Sequence, residues 1–355
     1  MLYIVFTTGQ CNLKCDYCGG SFPREKVPWE IEYDLANLKR LIEKDDEAVV
    51  AFYGGEPLLN YKKVIWILDN IKAKHFVIQT NGLLYHMLPD EYWRRFDTVL
   101  LSIDGRREIT NKHRGAGVYE KVLEAAKHLR KIGFQGDVIA RMTVTQDTDI
   151  YEDVSHLLSL NLFNHIHWQL DVVWSDRWRN FTEWRDNSYK PGLRRLMSLW
   201  ITRIKKGKVL GIAPFKAIAS QAIFGNVYNA PPCGSGVNSV SILTNGKITA
   251  CPIAVSENWA LLGDIKTGFK LMQRPILEPC ISCPYFNYCG GRCLYAYRER
   301  YWGDSGFREV CEATKTLIKL VLASVPAIIE SIDSGVISPE DLLYPPFNNT
   351  VEIIP

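Results

Sequence analysis

The stretch TTGQCNLKCDYCGG, residues 7–20, follows a strand-like apolar run and places Cys11, Cys15 and Cys18 within the first twenty residues. Three thiols spaced four and three apart are an incomplete set for a metal that takes four ligands. A closed structural zinc site would need a fourth protein ligand, and no nearby His or Cys supplies one. Thiolates this close in sequence suit either an iron–sulfur cluster or zinc. The chain has ten cysteines, and after Cys18 none occurs until Cys233, followed by Cys251, Cys280, Cys283, Cys289, Cys293 and Cys311. No export signal precedes them: MLYIVFTT lacks a basic n-region and a small-residue cleavage site, and reads as a strand. Reduced thiols in a cytoplasmic protein point to metal ligation or catalysis rather than disulfides. The gap in the distribution argues for two sites.

Working outward, strand candidates fall at 2–8, 47–54, 75–80, 98–103, 137–145 and 165–173, short runs rich in β-branched and aromatic residues. Their lack of polar alternation favours a parallel sheet buried on both faces. Between them, segments at 30–44, 61–73 and 118–133 carry apolar residues at helical spacing. Six βα units in a row predict an α/β barrel or partial barrel. The three cysteines then lie just past the carboxyl end of the first strand, where such barrels build active sites.

From residue 174 the pattern loosens. WSDRWRNFTEWRDNSYKPG (174–192) reads as a connector whose Trp rings cover the barrel, with a substrate-groove lining as the alternative. Helices are expected at 193–206 and 312–333, and Asn245-Gly246 between two strand-like runs signals a hairpin. The expected division is 1–210 for the barrel, 211–335 for the cysteine-rich domain and 336–355 for a tail.

At 355 residues the chain is long enough for two packed units. A net charge of +3 is too small to argue for a nucleic-acid partner. No apolar run approaches the roughly 20 residues of a membrane span.

The C-x3-C-x2-C spacing resembles the signature of radical S-adenosylmethionine (SAM) enzymes, in which three cysteines hold a [4Fe–4S] cluster whose open iron chelates SAM. Tyr17, before the third cysteine, fits the position near the adenine in that family. YGGEP (53–57) is similar to the family's GGEP motif, with Gly54 and Gly55 admitting close backbone approach and Glu56 facing the methionine ammonium. QTNG (79–82), SIDG (102–105) and ARMTV (140–144) end successive strands. By resemblance, Ser102 and Asp104 lie near the ribose, Arg141 pairs bidentately with the methionine carboxylate, and Asn81 is a further candidate. His113 and Arg114 read as surface-loop residues, with reach into the site as the alternative.

The later cysteines read C-x12-G-x4-C, then C-x2-C-x5-C-x3-C-x17-C, and resemble the seven-cysteine pattern of the SPASM subgroup. The resemblance implies two auxiliary [4Fe–4S] clusters: Cys280, Cys283, Cys289 and Cys311 on the outer, Cys233, Cys251 and Cys293 on the inner. Seven cysteines leave the inner cluster one ligand short, met by an open iron or a non-cysteine group. The fold implied is a partial (β/α)6 TIM-like radical SAM barrel with a C-terminal SPASM domain and three clusters in all. The activity implied is reductive cleavage of SAM to a 5′-deoxyadenosyl radical that takes hydrogen from a peptide or protein substrate. The alternatives are a small-molecule or cofactor-precursor substrate, or a non-catalytic electron carrier, which would leave GGEP, Ser102, Asp104 and Arg141 unexplained.

In sulfatase-maturating members an Asp after the second of the seven cysteines acts as base. Here Pro252 and Ile253 stand there, which ranks crosslink formation above formylglycine formation. Expected partners are a low-potential electron donor such as ferredoxin or flavodoxin. With the barrel starting at residue 2, the expectation is that the 174–190 segment reads the substrate's leader, that a separate leader-binding protein presents it, or that the substrate is a folded protein.

Overall fold

The computed structural model describes all residues except 174, 177 and 349–353. Six parallel strands, β1 (Leu2–Thr8), β2 (Val49–Gly54), β3 (His75–Thr80), β4 (Thr98–Ser102), β5 (Asp137–Val144) and β6 (His165–Leu170), pair in chain order. Their apolar runs are continuous because both faces are covered. Leu2, Ile4, Phe6, Ala51, Val77, Leu100 and Ile139 point to an inner core, while Tyr3, Val5, Val50, Phe52, Ile78 and Leu101 point to the outer helices. This is the two-residue alternation of a strand applied to a curved sheet.

The outer helices are α1 (Leu35–Ile42), α2 (Tyr61–Asn70), α3 (Arg107–Arg114), α4 (Val118–Lys131) and α5 (Ile150–Ser159), then α6 (Lys190–Ile204), α7 (Ala213–Phe224) and α8 (Gly303–Asp333). Helix α1 starts later than expected because Asp34 caps it, accepting from Ala36 N at 2.9 Å. Helix α8 starts earlier than expected, so Cys311 lies within it rather than just before it.

The sheet does not close from β6 to β1. Its free edge at β1 continues instead into β7 (Ser239–Ile242), parallel to β1, and then β8 (Lys247–Thr249), β9 (Leu261–Asp264) and β10 (Gly268–Phe269), antiparallel. The hairpin expected at Asn245-Gly246 is the β7–β8 turn, with Gly246 N donating to Leu243 O at 2.9 Å. No break in the sheet marks residue 210, since Leu2 pairs with Ser239 and Ile166 bridges to Ile212. One apolar core joins Ile204, Ile218, Leu317 and Ile318 to the barrel.

The aromatic stretch after β6 mostly covers the barrel. Phe181, Trp184 and Tyr189 are buried, and Trp178 packs edge-on against Phe181, Trp184 and Trp302. Trp174 and Arg177 of that stretch lie outside the described residues. The tail docks under the barrel. His75, Thr98, Asp137 and His165 are the first residues of β3 to β6, and the tail meets each of them. Phe347 stacks on His75 at 4.0 Å, Asn348 bonds Thr98 and Asp137, and Tyr344 meets His165 edge-on. His165 Nδ1 lies 2.8 Å from Asp137 and its Nε2 3.2 Å from the buried amine of Lys216. Among the described residues no helix is long and apolar enough to cross a membrane.

Candidate active site

Strand ends of β1 to β6 open at one end of the barrel into a cavity of about 630 Å³. That is within the range of ordinary ligand sites, roughly 300–1,000 Å³. Cys11, Cys15, Tyr17, Cys18, Gly54, Gly55, Glu56, Asn81, Ser102 and Arg141 all line it.

The glycine pair works at close range. A Cβ on Gly54 would stand 2.2 Å from Thr8 O, and one on Gly55 2.2 Å from Gln10 O. Gly55 N donates to Thr8 O at 3.1 Å and Glu56 N to Gln10 O at 2.8 Å. The glycines thus let the β2 end touch the cysteine loop itself, and so fix where Cys11 stands. Asn81 grips the same loop, its amide donating to Asn12 Oδ1 at 2.7 Å.

Glu56 is buried, 1% exposed. Its oxygens accept from Thr80 Oγ1 (2.7 Å), Asn81 N (2.7 Å) and Leu58 N (3.1 Å). Burial outweighs these donors and pushes its carboxyl up to about 7. Arg141, 6% exposed, reaches the same cavity with Nη1 donating to Met142 O.

Asp104 needs correction. It does not line the cavity and is fully buried. Arg114 binds it bidentately, Nε to Oδ2 at 2.8 Å and Nη2 to Oδ1 at 2.7 Å. Thr143 N and the Tyr17 hydroxyl complete its shell at 2.8 and 2.9 Å. A carboxylate with four donors inside the protein has no lone pair to offer a ribose, so its role is to hold Arg114 and Tyr17. His113 and Arg114, expected on a surface loop, end helix α3 as buried residues, and Arg114 lines the cavity. Their strong polarity concealed this, because burial of a charged pair depends on the partner and not on local hydropathy.

The cavity lining also includes residues beside the second cysteine group: Ile253, Val255, Ser256 and Glu257 after Cys251, and Tyr295 after Cys293. Ile253 is apolar as expected, but Glu257 brings a carboxylate on the same loop that sequence reasoning did not single out. Tyr53, on the cavity wall, is within electrostatic reach of Cys18, Cys251 and Cys11. One chamber therefore adjoins both cysteine groups.

None of the ten cysteines forms a disulfide. Cys18 accepts a hydrogen bond from Cys15, which pulls the Cys18 thiol down to about 6 and pushes Cys15 up. Cys280 is pushed up to about 12 by burial and then by Cys311, Cys289 and Cys283. Burial, then Cys311 and Cys283, act on Cys289, raised to about 11. Four thiols that repel one another's ionised forms are a set waiting for positive charge. Cys251 and Cys293 are buried in one cluster with Ala254, Leu294 and Tyr295. Among the described residues no three His, Cys, Asp or Glu side chains converge as a single ion would require. Cys11, Cys15 and Cys18 act on one another in the same way as Cys280 and its neighbours, and thiolate sets of this kind are the donor chemistry of iron–sulfur clusters.

Residues 5–160 match the model of the Radical SAM superfamily. A cysteine-type anaerobic sulfatase-maturating enzyme of Clostridium perfringens (strain 13 / Type A) is 25% identical, covering 86% of this chain and 91% of that one. The mycofactocin maturase MftC of Mycolicibacterium smegmatis is 24% identical, covering 81% and 76%. The solved structure of native anSMEcpe with bound AdoMet superposes with a TM-score of 0.73 at 20% identity, covering 94% of this chain and all (100%) of that one. Streptococcus suis SuiB bound to precursor peptide SuiA superposes at 0.55 with 17% identity, covering 82% and 71%.

Proposed function

Because the chain is a radical S-adenosylmethionine enzyme carrying the seven-cysteine pattern in its C-terminal half, we propose that it modifies a peptide or protein side chain. The observation that carries this is the shared chamber, lined both by Cys11, Cys15 and Cys18 and by the loop after Cys251 and Tyr295. The relatives named as sulfatase-maturating enzyme and mycofactocin maturase support a peptide substrate, as does the structure of SuiB bound to a precursor peptide.

In this reading Cys11, Cys15 and Cys18 hold one [4Fe–4S] cluster, Cys280, Cys283, Cys289 and Cys311 a second, and Cys233, Cys251 and Cys293 a third. When bound, the first cluster with SAM supplies the 5′-deoxyadenosyl radical, which removes a substrate hydrogen. The chain's own residues bind and shield. Glu56 and Arg141 offer a carboxylate and a guanidinium to the ammonium and carboxylate of SAM, Ser102 faces the chamber beside them, and Tyr17 flanks the cluster loop. Val255 and Ile253 give the chamber an apolar surface that helps keep water from a reactive intermediate. The absence of an acid at Ile253 supports crosslink formation over formylglycine formation. Electrons come from a low-potential donor of the ferredoxin or flavodoxin kind.

The test is anaerobic reconstitution followed by iron and sulfide analysis, then reduction with SAM present. About twelve irons per chain and release of 5′-deoxyadenosine are expected. A candidate precursor peptide encoded next to this chain should lose hydrogen mass only when SAM and reductant are both supplied. About four irons and no dependence on the peptide would overturn the reading.

A further inference from the structure

Between Cys15 and Cys18 stand two residues, Asp16 and Tyr17, and both are held from outside the loop by consecutive residues at the end of helix α3. His113 O accepts from Asp16 N at 3.1 Å, and His113 Nδ1 lies 3.0 and 3.1 Å from the two Asp16 carboxylate oxygens. The far ring nitrogen is itself anchored, 3.0 Å from Thr145 Oγ1 and 3.3 Å from Asp147. Arg114 forms the bidentate pair with Asp104 that receives the Tyr17 hydroxyl, and its guanidinium carbon stands 5.4 Å from the centre of the Tyr17 ring. His113 and Arg114 are 6% and 8% exposed, so neither is free to swing away.

We propose that His113 and Arg114 are positioning residues for the cysteine loop, each fixing one of the two residues that separate Cys15 from Cys18. A loop this short has few contacts of its own. Within it, Cys18 N and Gly19 N both donate to Cys15 O, at 3.3 and 2.9 Å. That turn sets the local shape but not the direction in which the two sulfurs point. Direction comes from the two external grips, which reach the loop from residues 97 positions away in sequence. The grips differ in kind. His113 joins backbone to backbone and ring to carboxylate. Arg114 acts through a planar fork that a lysine cannot reproduce, since an ammonium makes no bidentate pair. Arg114 also places a buried positive charge beside a loop that must carry thiolates.

The proposal rests on the reading that Cys11, Cys15 and Cys18 hold a cluster, so the experiment includes a variant that tests that reading by itself. Wild type, His113→Ala, Arg114→Lys, Arg114→Met and the triple variant Cys11→Ala/Cys15→Ala/Cys18→Ala are reconstituted anaerobically. Three quantities are read: iron per chain, the rate of iron loss to a chelator, and the electron paramagnetic resonance spectrum of the reduced protein with and without SAM. The triple variant sets the iron held elsewhere. If it holds as much iron as wild type, the cluster reading fails and not the positioning role. Otherwise, Arg114→Met is expected to fall to the triple-variant level. Arg114→Lys is expected to keep iron but lose the spectral change on adding SAM. His113→Ala is expected to lose the iron above the triple-variant level at least about fivefold faster than wild type. Should Arg114→Met fail to fold, the lysine and alanine variants carry the test. Wild-type iron loss and a wild-type SAM response in both of these would overturn the proposal. So would iron falling below the triple-variant level, which would mark general unfolding.

Discussion

Glu56 gives the sharpest prediction, because its burial has a calculable consequence. In an unfolded chain it titrates near 4.5, and in the folded protein at about 7. That interval corresponds to about 3 kcal/mol at about 1.36 kcal/mol per pH unit. The folded state holds the proton more tightly, so this group favours folding most below the unfolded value. The advantage is lost as pH rises from 4.5 through about 7 and stays lost above. Glu56→Gln cannot titrate. In urea denaturation of the cluster-free protein, the stability of wild type relative to Glu56→Gln should therefore fall by about 3 kcal/mol between about pH 4 and about pH 8. Taking this difference removes every other titrating group, and also the fixed cost of placing an amide opposite the main-chain donors. SAM should show the opposite sign. Its ammonium prefers ionised Glu56, so affinity should rise with pH through about 7, by up to tenfold per pH unit. Glu56→Gln should remove that dependence and weaken binding by about 1.5–3 kcal/mol, the worth of a hydrogen bond to a charged group. A stability difference that does not change with pH would refute the reasoning, whatever the binding data show.

Gly55→Ala puts a methyl 2.2 Å from Gln10 O and 2.8 Å from Cys11 N, both main-chain atoms that cannot step aside alone. It should cost about 1–3 kcal/mol by overpacking and lower iron uptake, read by denaturation and iron analysis; wild-type values for both would contradict the close-approach reading. At the other end of the barrel, Asn348→Ala removes the bonds to Thr98 and Asp137. A loss of about 2–3 kcal/mol is expected, with SAM affinity unchanged because the site lies beyond the sheet. A change in SAM affinity without loss of stability would reverse the assignment of the tail to the barrel base.

Much of this was readable in the residues. Strands β1 and β3 lie at the expected residues, and the cysteines and GGEP residues meet in one cavity because each follows a strand of the same parallel sheet. What escaped were the long-range pairings. Asp104 looked like a ligand since Asp-Gly at a strand end is compatible with either role. The choice was made by Arg114 ten residues on and by Tyr17, 87 residues back. Helix α3 with Arg106 before it reads RREITNKHR, a composition that suggests surface, and only buried partners make its last two residues interior. The tail contact between Thr98 and Asn348 spans 250 residues, and the pairing of β7 with β1 spans a comparable distance. Periodicity reports which face of an element is apolar; it carries no information on which distant segment covers that face.

The charge pattern of the barrel explains why one end is chemically poised and the other is not. At the base, Asp137 faces His165, with Lys216 behind it, and on the flank Asp153 holds Arg106 at 2.9 Å. Near the cavity, Asp104 holds Arg114. Each of these carboxylates meets a basic group, which offsets the cost of burial, although at Asp153 burial still outweighs Arg106 and holds the carboxyl above its usual range. Glu56 is different: its bonded partners are a hydroxyl and two main-chain amides, which stabilise an anion but do not neutralise it. That is why burial dominates its titration. A site that keeps such a carboxylate at its wall loses stability when the carboxylate ionises. On the proposed reading, that loss is recovered when a cation arrives from solution. The ammonium of SAM is a cation of the right kind, and the guanidinium of Arg141 on the same cavity wall suits the carboxylate of the same ligand. Instability at Glu56 and affinity for a zwitterionic ligand are on this view the same quantity, measured without and with the ligand.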